Sequence, residues 1–387
     1  MGNSVILNKS KTSGFSYFVS SIYDNNKSFL IILKDFKDIE DLVNDISTLN
    51  FLPINFIFYF LPHNEEKLDL YIKTKAVLEL YNNHIKGKIF IFSHQSLREK
   101  VASLESFNKS KMVIKKNEKI ERDKFLETLN LYNYERVDRV EERGQYSVRG
   151  SIIDFYPYAE THPVRVEFWG DIVESVRVFS EYDQLTIKKI RELSTYLIHY
   201  KYYEDIDLES LINNRFDVAL LETGEPEEFN KKVGTSDNFY VTSFIPPWQN
   251  SDLIIDLPQS YFGNIALFKS NLKHLLNDYS VNIFLSTEGL IERFSEIMNE
   301  LGLFFIEGEK LKTGNSHVVN IVKGRLSSGF LVRSRKLIVI TEKEILGKRR
   351  PSSFVRHERK KALHDMKISN LKEGDFVVHK NYGIGIY

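Results

Sequence analysis

The feature that most restricts the fold of this 387-residue chain is a pair of alternating segments, 164–169 and 172–179, joined by Gly170-Asp171. Apolar and polar residues alternate along both segments, which is the two-residue period of strands that are buried on one face. A two-residue link that contains glycine is a strong signal for a β-hairpin. A second pair, 136–142 and 145–156, flanks Arg143-Gly144 in the same way. We therefore predict antiparallel sheet for the middle of the chain.

The same alternation assigns cationic and aromatic side chains to the face opposite the apolar residues. Those side chains are Arg149, Arg165, Trp169 and Arg177. Arginine pairs bidentately with carboxylates, tryptophan buries a large area, and both are enriched in binding hot spots. One interpretation is a cationic sheet face that binds an acidic partner. The other is ordinary surface ion pairing, with Arg165 paired to Glu167 and Arg177 paired to Glu174.

The N-terminal part of the chain alternates between apolar runs and helical spacing. The run at 29–33 (FLIIL) is continuous, which is typical of a strand buried on both faces. Strand–helix alternation indicates a parallel sheet with crossover helices. The predicted strands are 29–33, 55–60 and 88–92, and the predicted helices are 39–49, 65–82 and 96–104.

A nucleotide-binding loop would lie at the start of such a domain, but its motif is broken here. The motif GxxxxGK[ST] is needed because backbone N–H groups surround the phosphates and the lysine reaches the terminal phosphate. Aligned on Lys11-Thr12, the two glycine positions hold Val5 and Ser10. Aligned on Gly14, the lysine position holds Phe15. We predict no nucleotide-binding residues in this chain.

Composition and motifs exclude several further classes of function. Lys+Arg and Asp+Glu number 53 each, which argues against a globally basic nucleic-acid-binding protein. There is no cysteine, so disulfide scaffolds, cysteine-ligated metals and thiol catalysis are excluded. The sequence contains neither HExxH nor GxSxG, and we predict no catalytic residues, no metal site and no enzyme activity. No signal peptide or membrane span is evident, which predicts a cytoplasmic protein.

The second half of the chain returns to an α/β pattern. We predict a strand at 281–286 and a helix at 289–301, followed by strands at 304–306, 317–322 and 336–341. Residues 348–361 include seven Lys or Arg in fourteen positions and are predicted to be a solvated linker. A new β pattern begins at residue 371.

Three stretches of sequence carry a resemblance to a known family. They are GQYSVRGSIIDFYP and PVRVEFWGDIVESVRVF within 144–179, SGF and LIVITEKEILG within 328–347, and LKEGDFVVHKNYGIGIY at 371–387. In this order they resemble the bacterial transcription-repair-coupling factor (Mfd) family. The first is similar to the UvrB-like domain that binds UvrA, and the last is similar to the opening of the CarD-like domain that binds RNA polymerase.

The resemblance implies a multidomain α/β protein. It has a degenerate P-loop-type parallel-sheet domain, an inserted antiparallel α+β UvrB-like domain, a second small α/β domain and a truncated CarD-like β-barrel. The predicted segments are 1–111, the first part of the degenerate nucleotide-binding domain; 112–198, the UvrA-binding domain; 199–270, a return segment that completes the first domain; 271–347, the small third domain; 348–370, a basic linker; and 371–387, the start of the CarD-like domain.

The resemblance also implies a function. The family uses ATP and Mg²⁺ to translocate on double-stranded DNA, displaces RNA polymerase stalled at lesions and recruits UvrA for nucleotide excision repair. This chain would bind UvrA, and it would bind the RNA polymerase β subunit through 371–387. It would need no cofactor, because the ATP-driven motor would follow Tyr387. The UvrA-contacting positions of the family fall on Arg149, Arg165 and Trp169, the last usually being Phe. Arg177 is added from its position on the same predicted face, and no polymerase-binding residue is assigned.

Three other functions remain open at this point. A UvrB-like excision nuclease subunit would require an intact GxxxxGK[ST] and no CarD-like string. A free-standing RNA polymerase-binding regulator would require a complete barrel. A DNA-binding fragment would use the basic residues of 348–361, and its DNA binding would depend strongly on salt.

Overall fold

The computed structural model of the chain describes two compact units. Unit 1 comprises residues 1–64, 75–100 and 206–352, and unit 2 comprises residues 65–74, 101–205 and 353–387. The described residues are 3–7, 13–49, 56–59, 67–198, 205–213, 215–222, 237–242, 254–314, 317–347, 376–379 and 383–386.

Helices and strands are numbered in chain order. The α-helices are α1 Ser13–Ile22, α2 Lys37–Thr48, α3 Lys67–Tyr81, α4 Leu104–Lys109, α5 Arg122–Leu131, α6 Leu208–Ile212, α7 Ile265–Asp278, α8 Glu288–Leu301 and α9 Glu342–Leu346. Short 3₁₀ helices lie at Ser96–Arg98 and Arg333–Arg335.

The strands form sheets within each unit. They are β1 Asn3–Leu7, β2 Phe29–Leu33, β3 Ile57–Tyr59, β4 Ile89–Ser93, β5 Lys100–Val101, β6 Lys111–Lys115, β7 Glu135–Arg136, β8 Gln145–Arg149, β9 Ile152–Phe155, β10 Val164–Trp169, β11 Ile172–Phe179, β12 Thr186–Ile190, β13 Glu192–Tyr196, β14 Ile206–Asp207, β15 Val218–Glu222, β16 Asp237–Thr242, β17 Ile254–Asp256, β18 Ser280–Leu285, β19 Phe305–Gly308, β20 Val319–Lys323, β21 Phe330–Val332, β22 Leu337–Thr341, β23 Phe376–His379 and β24 Gly383–Ile386.

Unit 1 contains one large twelve-stranded sheet. Its strand order is β19-β20-β18-β22-β21-β17-β1-β16-β15-β2-β4-β3. The pairs β17–β21 and β21–β22 are antiparallel, and the other neighbouring pairs are parallel. Every residue of β2 is buried, which is why its sequence is continuously apolar rather than alternating. The predicted mixed α/β character of the chain is confirmed.

Helix α8 shows how local sequence defines an element of unit 1. Thr287 caps its N-terminus, accepting a hydrogen bond from the backbone N–H of Leu290, and Gly302 ends it at a φ of +62°. Its apolar stripe packs on the sheet, with Phe294 buried beside Phe268 of α7 at a ring-centroid distance of 5.9 Å. The described segment 254–347 therefore has an ordinary α/β core.

A buried carboxylate connects α2 of unit 1 to the segment 325–328. Asp45 is fully buried, and its Oδ1 accepts a hydrogen bond from the backbone N–H of Ser327 at 2.7 Å. The Ser327 hydroxyl donates to the other carboxylate oxygen and lies 3.1 Å from the Ser13 hydroxyl. Burial raises the pKa of Asp45 to about 7, and the hydrogen bonds from Ser327 only partly oppose that rise.

Unit 2 is built on a six-stranded sheet with the order β12-β11-β10-β9-β8-β7. Its strands pair antiparallel except for β7 and β8. Helix α5 covers one face, where the Phe125 ring contacts those of Phe155 and Phe168. The β10–β11 hairpin turns at Gly170, whose φ of +60° explains the need for glycine there, as the sequence predicted.

Two local predictions in unit 2 and its neighbourhood are wrong. Residues 145–156 are two strands that turn at Gly150, and β8 pairs antiparallel with β9 across that turn, whereas the preceding segment pairs with β8 only at β7 and in parallel. The predicted helix at 96–104 is divided into a 3₁₀ turn, β5 and the start of α4. The Ser103 side chain caps α4 by accepting from the N–H of Ser106, which begins a new helix at Leu104.

Several predictions fall on residues that the structure does not describe. They include residues 8–12 of the candidate phosphate-binding loop and the basic linker 348–370. Within 371–387, β23 and β24 form an antiparallel hairpin, with Phe376 opposite Ile386. The CarD-like barrel stays a prediction, as do the domain boundaries. None of the described helices is long and apolar enough to cross a membrane.

Candidate protein-interaction site

The outward face of the unit 2 sheet carries the four residues selected from the sequence. Along β10 the residues alternate between buried and accessible, so Arg165 and Trp169 lie opposite the core. Arg165 is directly across from Asp154 of β9 on one side and from Arg177 of β11 on the other. Because directly opposed residues of antiparallel strands project from the same face, these side chains share one surface.

Asp154 joins two of the predicted arginines. Its carboxylate is only 1% exposed and accepts hydrogen bonds from Arg165 Nε at 2.7 Å and Arg165 Nη2 at 2.9 Å. Arg149 Nη2 donates to the same carboxylate from the end of β8. Charge-assisted bonds of this kind are stronger than neutral ones and fix the plane of a guanidinium. Two positive charges therefore converge on one buried negative charge, and a net positive charge remains at the surface.

The two arginines differ in accessibility. The Arg165 side chain is 15% exposed, its guanidinium carbon lies 4.5 Å from the centre of the Phe179 ring, and Nη1 donates to the Gln184 carbonyl at 3.5 Å. The Arg149 side chain is 51% exposed. Arg149 can therefore offer free N–H groups to a partner, whereas the N–H groups of Arg165 are mostly used in bonds to Asp154 and Gln184.

Arg177 is paired within the sheet. Its Nη2 donates to Glu167 Oε2 at 2.6 Å, and the Ser175 hydroxyl donates to the same oxygen at 3.0 Å. The register shifts after Glu167, so that Phe168 is opposite Val173 and Glu174 has no place in the ladder. The ion pairs therefore differ from the Arg165–Glu167 and Arg177–Glu174 ladder that the sequence offered as an alternative.

Trp169 is the most accessible of the four residues. It is 77% exposed at the β10–β11 turn and lies directly across from Ile172, which is 48% exposed. Both are large apolar side chains, and such a pair in solvent is typical of a contact surface for another molecule. The indole plane and the Arg149 guanidinium are thus the two groups on this face most available for binding.

A groove of about 640 Å³ borders Arg149. It is lined by Arg136, Val137, Asp138, Ser147, Val148 and Arg149. In the described part of the chain, no group of three or more His, Asp or Glu side chains is placed to hold a metal ion. This face offers a partner positive charge, hydrogen-bond donors and apolar surface.

Comparison with protein families assigns this part of the chain. Residues 112–199 match the family model described as the UvrB interaction domain. Residues 112–199 are called the UvrB interaction domain below, after the family model that they match. All four predicted residues and Asp154 lie inside it. Sequence reasoning found the four but missed Asp154, whose alternating position in Ile152–Phe155 was the available signal.

Known proteins are similar to the chain well beyond the UvrB interaction domain. It is 22% identical to the transcription-repair-coupling factor of Staphylococcus haemolyticus strain JCSC1435, over 79% of this chain and 34% of that protein. The factors of Staphylococcus aureus strain bovine RF122 and Staphylococcus epidermidis strain RP62A are also 22% identical, over 78% and 77% of this chain and 34% of theirs. The predicted resemblance is confirmed, and the chain spans about a third of the length of these relatives.

Proposed function

We propose that this chain is part of a transcription-repair coupling factor and that its UvrB interaction domain binds UvrA. The observation that carries the proposal is the convergence of Arg149 and Arg165 on Asp154 within the matched segment, on a sheet face where β10 also carries the exposed Trp169. In this proposal the chain recruits UvrA to RNA polymerase stalled at DNA lesions. The chain itself acts by recognition and carries out no catalysis.

The surface chemistry defines what the UvrA side must supply. Arg149 and Arg165 share one carboxylate, so a carboxylate of the partner would neutralise the remaining charge. Trp169 offers a flat apolar face for an apolar side chain. Arg177 lies on the same face and is paired with Glu167, so we propose it as a secondary contact. Tryptophan and arginine are among the residue types most enriched in interface hot spots.

The proposal also includes the contacts of the coupling factor with RNA polymerase and DNA. RNA polymerase binding, through its β subunit, is proposed for the segment 371–387. ATP-driven movement on double-stranded DNA is proposed for the complete coupling factor, with ATP and Mg²⁺ bound outside this chain. The proposed location is the cytoplasm, where the coupling factor would meet UvrA, RNA polymerase and DNA.

We expect Arg149→Glu to weaken the binding of UvrA by about 30-fold or more, because it would set a negative charge against an acidic partner, a mismatch that costs about 2 kcal/mol or more. Isothermal titration of purified UvrA into the full chain measures this. Arg293→Glu is the matched control, since Arg293 is an exposed arginine of α8 that is paired to Glu296. Binding of wild type and Arg149→Glu with equal affinity would contradict the assignment of Arg149.

A further inference from the structure

The segment 117–122 runs beside the turn that carries Trp169. The Asn117 N–H donates to the Val173 carbonyl at 2.8 Å, and the Val173 N–H donates to the Glu118 carbonyl at 3.0 Å. The Ile120 N–H donates to the Asp171 carbonyl at 2.8 Å. The segment thus adds a short stretch of backbone pairing to the start of β11.

Arg122, which ends this segment and begins α5, contacts two turns at once. Its Nη2 donates to the Gly150 carbonyl at 2.8 Å, in the β8–β9 turn. Its backbone N–H donates to Asp171 Oδ1 at 3.3 Å, in the β10–β11 turn. The β8–β9 turn also contacts the end of β10, because the Phe168 N–H donates to the Ser151 carbonyl at 2.9 Å.

The two turns are next to the two most accessible residues of the site. Arg149 precedes Gly150 and Trp169 precedes Gly170, and both glycines have a φ of +60°. Surface turns are normally among the most mobile parts of a domain, and ordering them during binding reduces affinity. The Arg122 guanidinium ties the turn beside Arg149 to the start of α5 and so reduces that loss before the partner arrives, whereas the contact with Asp171 is made by the backbone.

We infer that Arg122 is a positioning residue whose guanidinium holds the β8–β9 turn, and with it Arg149, in the geometry that binds the partner. The inference rests on the proposed binding of UvrA. Arg122 does not have to touch UvrA in this role, because its side chain acts through the Gly150 carbonyl. This contact could not be predicted from the sequence, since it depends on how α5 meets the β8–β9 turn.

The first measurement needs no partner. In Arg122→Ala of the full chain, we expect faster hydrogen–deuterium exchange at the Phe168 amide, which donates to the Ser151 carbonyl next to Gly150. The Ile120 amide should be unchanged, because the backbone N–H of residue 122 still donates to Asp171 in the variant.

Arg143→Ala is the matched control, because Arg143 also donates to a backbone carbonyl, that of Glu160, but at the opposite end of β8. It should leave the Phe168 amide unchanged. Unchanged exchange at the Phe168 amide in Arg122→Ala would overturn the inference.

The second measurement is affinity for purified UvrA by isothermal titration. We expect Arg122→Ala to bind roughly three- to tenfold more weakly, the scale of ordering one or two side chains on binding. Arg122→Lys should recover part of the loss, because its ammonium can still donate to the Gly150 carbonyl. In an Arg149→Ala background, Arg122→Ala should cost less affinity than it does alone, because the residue that it positions is gone.

The outcomes separate the two ideas. If wild type binds UvrA and Arg122→Ala binds as tightly, or loses the same affinity in the Arg149→Ala background, Arg122 does not position the site. If wild type does not bind UvrA at all, the proposed function fails, and the exchange measurement alone then decides whether Arg122 holds the β8–β9 turn.

Discussion

Asp154→Ala is expected to lower the free energy of unfolding of the UvrB interaction domain by about 3–5 kcal/mol. Asp154 is almost completely buried and accepts hydrogen bonds from two arginines. Without it, the mostly buried Arg165 keeps its charge but loses its counterion, and Arg149 becomes a like-charged neighbour. Removing one partner of a buried pair costs this much because it leaves the other charge uncompensated. Asp154→Ala should also abolish UvrA binding, because the guanidinium planes are no longer fixed.

Native-state hydrogen exchange of the β9 and β10 amides measures this free energy for unit 2 separately from unit 1. Glu192→Ala is the matched control, since Glu192 is half-exposed and 3.7 Å from Lys115, and such surface pairs contribute about 1 kcal/mol or less. Asp154→Asn keeps the shape of the side chain and one acceptor oxygen. Its loss of free energy of unfolding should lie between those of Asp154→Ala and Glu192→Ala. A loss for Asp154→Ala no larger than that for Glu192→Ala would contradict this account of the site.

The stability of unit 1 is expected to fall as the pH rises, because of Asp45. Its pKa is raised by burial from the ordinary 3.8 to about 7 in the folded protein. Between about pH 4 and about pH 7 the folded state therefore holds a proton that the unfolded state releases. Unit 1 should accordingly be more stable below about pH 4 than above about pH 7, by about 4 kcal/mol from this group. Burial also raises the pKa of Asp41, which acts in the same direction.

Native-state hydrogen exchange of β2 and β4 amides at about pH 4.5 and about pH 7.5 tests this, with rates corrected for the intrinsic pH dependence of exchange. Asp45→Asn should lose most of the pH dependence, because asparagine is neutral in both states. Asp278→Asn, which replaces an exposed carboxylate of α7, should keep the wild-type dependence. An Asp45→Asn variant with the full wild-type slope would show that Asp45 does not hold the proton.

Most residues of the candidate site could be predicted from the sequence, but the hydrogen bonds that join them could not. Alternation in 164–169 placed Arg165 and Trp169 on one face, and the structure agrees. The link between Arg149 and Arg165 depends on Asp154, which becomes visible only when β9 is known to pair with both β8 and β10. The sequence pattern predicted the turn at Gly144 instead of Gly150, so the pairing of β8 with β9 was not predicted.

The fold of unit 1 shows the same division. The continuous apolar runs predicted β2 and β4, because strands buried on both faces have no polar positions. Their neighbours could not be predicted, since β15 and β16 enter between β2 and β1 from nearly 200 residues further along the chain. Parallel pairing between strands so far apart in sequence leaves no local pattern. The Ser103 cap that divides 96–104 is a local signal, but the apolar spacing of that segment favoured a single helix.

Trp169→Ala is the sharpest test of the proposal that the outward face of the UvrB interaction domain binds UvrA. Because Trp169 is 77% exposed, its removal should leave the domain as stable as wild type. Leu131→Ala, which removes a 73% exposed apolar side chain from the end of α5, is the matched control. Isothermal titration with purified UvrA should show about 30-fold weaker binding for Trp169→Ala, as expected for a hot-spot residue worth about 2 kcal/mol, and unchanged binding for Leu131→Ala. Equal affinities for wild type, Trp169→Ala and Leu131→Ala would contradict the claim.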